Sequence, residues 1–204
     1  MIIGNDKPAA VIGYPQSSLT EEMLHGISQE TPCVLIDPVG FLDVQDDHLR
    51  DCQYIIGFSK DKELRRAVAK KLSGLDVFSF IHHSAIVENG SSLGRGVFIG
   101  PFCYVCQKAT IGNHVLAVAT YCLVSHYSVV GDFTVLHSDA KIAGRAQIGS
   151  GCELNFGSRV GFGVTIGDQV CLGEFSAAHK DITAPGFYVG YPTARRAGDW
   201  NPVV

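Results

Sequence analysis

In Ile142-Ala-Gly-Arg-Ala-Gln-Ile148-Gly-Ser-Gly-Cys-Glu-Leu154-Asn-Phe-Gly-Ser-Arg-Val160 a branched aliphatic residue returns at every sixth position. The same beat runs back through Leu136, Val130 and Val124 and forward to Ile166 and Leu172. Earlier in the chain it is set one residue out of phase, at Ile81, Val87, Leu93, Ile99, Val105, Ile111 and, more weakly, Ala117. Four residues after each aliphatic comes a small or β-branched one, such as Ala85, Val97, Cys103, Ala140, Ala146, Cys152 or Ser158; Tyr121 is the exception. Neither an amphipathic helix nor an alternating strand has a period of six. A parallel β-helix does, because each short face needs one large inward residue, one small inward residue and a tight corner. Three faces make a coil of eighteen residues, so residues eighteen apart stack at about 4.8 Å. The hexads then fill about five coils.

Composition fits a folded, reduced protein. The chain has 204 residues, a net charge of −4 and 46% hydrophobic residues, enough for a core and unfavourable for nucleic acid as the main partner. No apolar run is long enough to span a bilayer, and Met1-Ile-Ile-Gly-Asn-Asp-Lys-Pro8 does not read as a signal peptide, which predicts a cytoplasmic protein. Seven cysteines without framework spacing predict thiols rather than disulfides. Cys103-x-x-Cys106 has metal or redox spacing, but Cys103 occupies the small inward slot of its hexad.

Residues 1–80 read as a small α/β domain. Pro8–Gly13, Cys33–Asp37 and Gln53–Gly57 are short apolar strands. Ser18-x-x-Glu21 has capping-box form, with Met23, Leu24 and Ile27 at helical spacing, and Leu64–Leu72 is amphipathic. Such alternation predicts a parallel sheet with ligands at the carboxyl ends of its strands. The candidate acceptor-binding residues are Gly13, Ser17, Asp37 and Gly57. The turn Gly13-Tyr-Pro-Gln-Ser-Ser18 is a phosphate cradle or a plain strand-to-helix turn, and Asp37 either meets a ribose or base or opens the Asp37-Pro38 turn.

The phase slip within 117–124 points to the chemistry, because an extra residue displaces backbone where every coil must stack. Just beyond it lies Val124-Ser-His126-Tyr-Ser-Val-Val-Gly131. Gly144 is one coil after His126, and Phe162 one coil further. A general base beside a backbone N–H with no side chain in its way suits acyl transfer.

These residues, with Phe80-Ile-His-His-Ser-Ala85, Ala143-Gly144 and the closing Tyr188-Val-Gly-Tyr-Pro-Thr-Ala-Arg195, resemble the hexapeptide-repeat sugar O- and N-acyltransferases of bacteria. The likeness is to the sialic acid O-acetyltransferase type and the N-acetyltransferases of nucleotide-linked 4-amino-sugars. It implies a mainly β fold, a left-handed parallel β-helix at 81–185 preceded by a small Rossmann-like α/β domain at 1–80, with 186–204 as a C-terminal tail. It also implies a homotrimer with active sites between subunits, acetyl-CoA as co-substrate, and no metal. The acceptor is then a nucleotide-linked sugar acetylated on an amine or a hydroxyl, with His126 as base and Gly144 as the donor to the acetyl carbonyl. Gly144, Phe162, Lys180 and Arg195 are its candidate coenzyme contacts, with Arg196 beside them. Ser125 and Tyr127 stand where that family carries carboxylates around the histidine, which leaves His137 and Asp139 as candidate orienters of His126. An amine acceptor makes a smaller demand on such a base than a hydroxyl does.

Two other readings use the same fold. One is a non-catalytic trimeric scaffold or binding module. The other is a metal enzyme of the gamma-carbonic-anhydrase type, which His114, His126 and His137 suit poorly because no two of them share the close spacing of paired ligands.

Overall fold

Three walls of two- and three-residue strands carry the inward aliphatics of the hexads. The computed structural model describes residues 1–44, 49–117 and 120–196. The first wall stacks Ser79–Ile81, Phe98–Ile99, Leu116–Ala117, Val135–Leu136, Glu153–Leu154 and Val170–Leu172 in parallel. The second runs from Ile86–Val87 to Ala177–Ala178, and the third from Ser92–Leu93 to Thr165–Ile166. With six, six and five strands the parallel β-solenoid completes nearly six coils, slightly more than the repeat count predicts. Ile81, Ile99, Leu136, Ile142, Leu154, Ile166 and their counterparts form one continuous buried column.

Partners are eighteen residues apart in the early coils, as in Leu116 opposite Phe98. They are nineteen apart across the slip, as in Leu123 opposite Tyr104, and eighteen again from Lys141 opposite Leu123. One residue is therefore inserted between Ala117 and Leu123; Val118 and Ala119 lie outside the described residues. The insertion corrects the reading of Tyr121. Cys122 fills the small inward slot at 2% exposure, stacked on Cys103, while Tyr121 points outward at 58% exposure.

The walls meet at four-residue corners whose third residue takes positive φ. Ten corner positions among the described residues are not glycine and still hold φ between 52° and 68°, including His114, Tyr127, Asp139 and Arg145. Left-handed backbone costs an L-residue about 1 kcal/mol or more. Burial of the inward column offsets that cost at every turn.

The first eighty residues build strand β1 (Ile2–Ile3), β2 (Ala9–Ile12), helix α1 (Ser18–Ser28), β3 (Cys33–Ile36), α2 (Pro38–Asp43), β4 (Gln53–Ile56) and α3 (Lys62–Lys71). β3, β2 and β4 form a parallel sheet with β2 in the middle. The capping-box reading of Ser18 is corrected, since Ser18 is already helical and Ser17 is the N-cap, with no side-chain cap hydrogen bond. Asp37 takes the turn role: it caps α2, its Oδ2 accepting from Gly40 N at 2.8 Å.

The α1 side of the sheet and the outer face of the first wall share one core. Val11, Met23, Ile27 and Ile55 pack with Phe80, Phe98, Leu116 and Val135, and the rings of Phe80 and Phe98 stack 5.6 Å apart. β1 adds antiparallel to Ser79–Ile81. From α3, Arg65 is 2% exposed and donates to Phe133 O at 3.1 Å and His114 O at 2.7 Å. Burial pulls its pKa down to about 10, so it stays charged at neutral pH.

Beneath Arg65, the His114 ring fills the space that a Cβ on Gly96 would occupy and stacks on Phe133 at 5.1 Å. Burial first, and the Arg65 charge second, lower its pKa from 6.5 to about 4. The unfolded chain therefore takes up this proton at a higher pH than the folded one. Stability falls as pH drops from 6.5 to 4 and is unaffected by this group above that window. The loss is capped at about 3 kcal/mol by the energy each pKa unit carries, and solvent contact lowers it. His114→Asn tolerates the positive φ and removes the titration. Its melting temperature should decline less than the wild type's over that acid window, and parallel curves would exclude His114 as the acid-sensitive group.

Candidate functional site

His126 sits second in the corner 125–128 between the second and third walls, and Gly144 holds the equivalent place one coil on. Arg145 N donates to His126 O at 2.9 Å and Gly163 N to Gly144 O at 3.0 Å, which fixes both corners in the stack. A Cβ on Gly144 would lie 2.6 Å from His126 Cε1 and 2.7 Å from Nε2. The imidazole thus rests on the Gly144 backbone. Its other neighbours are the Tyr127 ring, edge-on at 5.7 Å, and the Phe162 ring at 6.4 Å. Phe162 is 66% exposed and forms an open wall. Cys106, one coil earlier, hydrogen-bonds Ser125 and the His126 backbone, and burial raises its thiol pKa.

The second residue of a corner has an N–H with no backbone acceptor in the ladder. At four corners a side chain of the next or previous coil takes it. Arg95 N donates to Asn113 Oδ1 at 3.0 Å, Asn113 N to Asp132 Oδ1 at 2.7 Å, and Ser150 N to Asp168 Oδ1 at 2.7 Å. Gln107 N likewise donates to Glu88 Oε2 at 2.6 Å. At Gly144 no described residue accepts, and the same holds at Ser138, Phe156 and Phe162. A half-buried imidazole and an uncommitted backbone N–H therefore lie side by side, an arrangement that can act as a base and as a donor to a developing oxyanion.

Tyr127 stands between two cations stacked above and below it. Lys108 Nζ is 5.1 Å and Arg145 Cζ 5.6 Å from its ring, and Lys108 Nζ donates to Tyr127 Oη at 3.1 Å. Neither His137 nor Asp139 reaches His126, which corrects their placing as orienters within one chain. Both belong to the corner between the first and second walls. There His137 Nε2 meets Glu153 Oε1 at 3.0 Å, while Asp139 pairs with Lys141 at 2.9 Å and Arg159 at 2.8 Å.

The remaining candidates fall into two groups. Gly13, Ser17 and Gly57 gather at the carboxyl ends of β2 and β4 with Asp37 beside them at the end of β3. Gly13 and Gly57 are there for close approach: a Cβ would meet Thr20 Oγ1 at 2.6 Å in the first and Val11 Cγ1 at 2.6 Å in the second. Lys180 is exposed just past Ala177–Ala178, on the edge that carries His126, Gly144 and Phe162. Arg195 lies instead on a hairpin that extends the first wall, folded onto Gly186 and donating to Pro185 O at 3.0 Å. Lys108, Arg145 and Glu153 were missed in the sequence, although counting eighteen or nineteen residues from Tyr127 does reach Lys108 and Arg145. Among the described residues no group of three or more His, Cys, Asp or Glu is placed to hold a metal ion, and no helix is long and apolar enough to cross a membrane.

Gly144→Ala sets a methyl group inside the imidazole's contact distance, so the ring must leave its place. The expected outcome is a loss of about 1–3 kcal/mol from overpacking and a His126 side chain shifted from Phe162, read by thermal unfolding and by ring-proton shifts. An unmoved ring would refute the contact.

No protein-family model matches the chain. Over 35 residues it is 57% identical to the acyl-(acyl-carrier-protein)–UDP-N-acetylglucosamine O-acyltransferases of Brucella ovis and Brucella canis, a stretch covering 17% of this chain and 13% of each relative. Solved structures match far more of its length. PerB from Caulobacter crescentus, in complex with CoA and GDP-perosamine, superposes with a TM-score of 0.83 at 18% identity, covering 95% of this chain and 99% of that one. The acetyltransferase domain of PglB from Neisseria gonorrhoeae gives 0.83 at 17% identity, covering 94% and 100%. Its complex with acetyl coenzyme A gives 0.81 at 15% identity over the same shares. Over nearly its whole length, this chain has the fold of those acetyltransferase structures.

Proposed function

We propose that the protein transfers an acetyl group from acetyl-CoA to an amine, or a hydroxyl, of a nucleotide-linked sugar. The observation that carries this reading is the His126 imidazole seated on the Gly144 backbone beside an N–H that no described residue uses. The likeness in fold to proteins solved with CoA, with acetyl coenzyme A and with GDP-perosamine supports it. His126 accepts the proton of the attacking nitrogen as the new C–N bond forms at the thioester carbonyl. The Gly144 N–H donates to the carbonyl oxygen as it becomes negative. As the C–S bond breaks, His126 returns its proton to the departing thiolate. With Ser125 and Tyr127 as neighbours, His126 lacks a carboxylate to raise its basicity, which favours an amine over a hydroxyl acceptor.

The remaining assignments belong to this reading. The solenoid is left-handed and spans 81–185, and the chain forms a cytoplasmic homotrimer with sites between subunits. Residues 1–80 form a Rossmann-like platform holding the nucleotide near Gly13, Ser17 and Gly57. Phe162 and Lys180 line the coenzyme's path, with Arg195 meeting its phosphates from the C-terminal hairpin; residues 197–204 of the tail fall outside the described residues.

His126→Ala should lower kcat by roughly 10²–10⁴ while leaving the Kd for acetyl-CoA, measured calorimetrically, unchanged. Undiminished turnover would remove His126 as the base. Absence of coenzyme binding in the wild type would favour the scaffold reading over the enzyme. Tyr127→Glu restores a carboxylate beside the base; the acid limb of its kcat–pH profile should move to higher pH, and an unmoved limb would exclude position 127 from tuning His126.

A further inference from the structure

The corner between the first and second walls turns one small side chain inward per coil: Ala85, Cys103, Cys122, Ala140, Ser158 and Ser176. Two consecutive coils put sulfur there. Cys103 and Cys122 are each 2% exposed and belong to the solenoid core. Tyr104 N donates to Cys122 O at 2.8 Å, and Tyr104 faces Leu123 in the ladder. The Cα atoms of Cys103 and Cys122 are therefore one coil apart, about 4.8 Å. A disulfide spans about 4.4–6.8 Å between Cα atoms, so the two sulfurs can join without displacing a strand. The two thiols already hydrogen-bond to each other.

All seven cysteines are thiols, and no other two of them stack in this way. Cys106, the second half of Cys103-x-x-Cys106, opens the next corner and hydrogen-bonds Ser125 instead. Cys171 is turned out of the solenoid between Glu153 and Phe187, while Cys152 faces the interior. Cys33 lies opposite Ala9 in the small sheet.

We propose that Cys103 and Cys122 are a redox-active pair, which a peroxide converts to an intrachain disulfide and a dithiol returns to thiols. The hydrogen bond between them draws the Cys103 thiol pKa down and pushes that of Cys122 up, so Cys103 supplies the attacking thiolate. An S–O bond to one peroxide oxygen forms, the O–O bond breaks, and the departing hydroxide leaves as water with the proton that Cys103 gave up. The Cys122 sulfur then attacks the Cys103 sulfenic sulfur. The S–S bond forms, the S–O bond breaks, and the second hydroxide leaves as water with the Cys122 proton. The two sulfurs give up two electrons and the peroxide accepts both. Burial selects a small uncharged oxidant and makes the reaction slow. Cys122 Sγ also lies 3.1 Å from His137 O, which accepts from Ala140 N at 3.0 Å as well. A disulfide has no S–H, so oxidation removes the first of these donors and is felt in the next coil.

The test treats the whole folded protein with a small excess of hydrogen peroxide, blocks the remaining thiols by alkylation, and maps tryptic peptides by mass spectrometry. A cross-linked peptide pair lighter by two hydrogens is expected, lost on treatment with dithiothreitol, with the far-UV circular dichroism unchanged. It should form more slowly than the half-buried Cys33, Cys52 and Cys106 react. Cys103 and Cys106 share a tryptic peptide, so variants assign the bond. Cys103→Ser and Cys122→Ser should each abolish it, and Cys106→Ser should leave it. Serine already fills the small inward slot at Ser128, Ser158 and Ser176, all fully buried, so these variants keep the fold. The Ala140 amide signal should shift as the bond forms. A cross-link that survives Cys103→Ser, one that forms only after denaturation, or Cys103 advancing to sulfinic acid without any cross-link overturns the proposal. So does the absence of reaction at both thiols.

Discussion

Each coil of the solenoid satisfies its backbone hydrogen bonds through the coil above and the coil below, with interior and corners kept in register by that ladder. Everything else in the structure is subordinate to it. A side chain has fixed neighbours eighteen residues away, so a ring can lie flat over a corner only where the facing residue has no Cβ. Among the described residues a ring takes the space of a missing Cβ one coil away at three corners: His114 at Gly96, His126 at Gly144 and Phe175 at Gly157. The first and third of these are plain packing, and the geometry at His126 is no different in kind. What sets His126 apart is chemical. The N–H beneath it is left without the side-chain acceptor that Arg95, Gln107, Asn113 and Ser150 have, an imidazole lies against it, and the wall beyond it, Phe162, is open to solvent.

The ladder also explains where the extra residue can go. An insertion inside a strand would turn every following side chain to the opposite face. Placed in the corner between Ala117 and Leu123, it leaves the pairing of both flanking strands intact and merely lengthens one turn. The outward displacement of Tyr121 stacks it on Phe102 at 5.4 Å, while Cys122 closes the interior behind it. The irregularity is local because the coils on either side pin it.

The solenoid was legible because its period is rigid: hexad spacing alone identifies the walls, the inward residues and the stack of His126, Gly144 and Phe162. The capping of α1 was misread by one residue because Ser17 and Ser18 are both plausible caps and only backbone geometry separates them. Asp37 offered two roles in sequence, and its bond to Gly40 N selected one. The His137–Glu153 pair was invisible for a different reason. Its members are sixteen residues apart, a diagonal contact from a corner residue to an outward strand residue one coil later, whereas the eighteen-residue rule brings together only like positions.

The two histidine corners divide what one histidine with its carboxylate would do. At His126 the flanking positions hold Ser125 and Tyr127, and the cations Lys108 and Arg145 lie on either side of the tyrosine ring. At His137 the partner is Glu153, which stands between Val135 and Cys171 on the first wall and interacts with the buried Arg65 charge. Cationic surroundings favour anionic groups such as a coenzyme's phosphates, and carboxylate surroundings favour an ammonium.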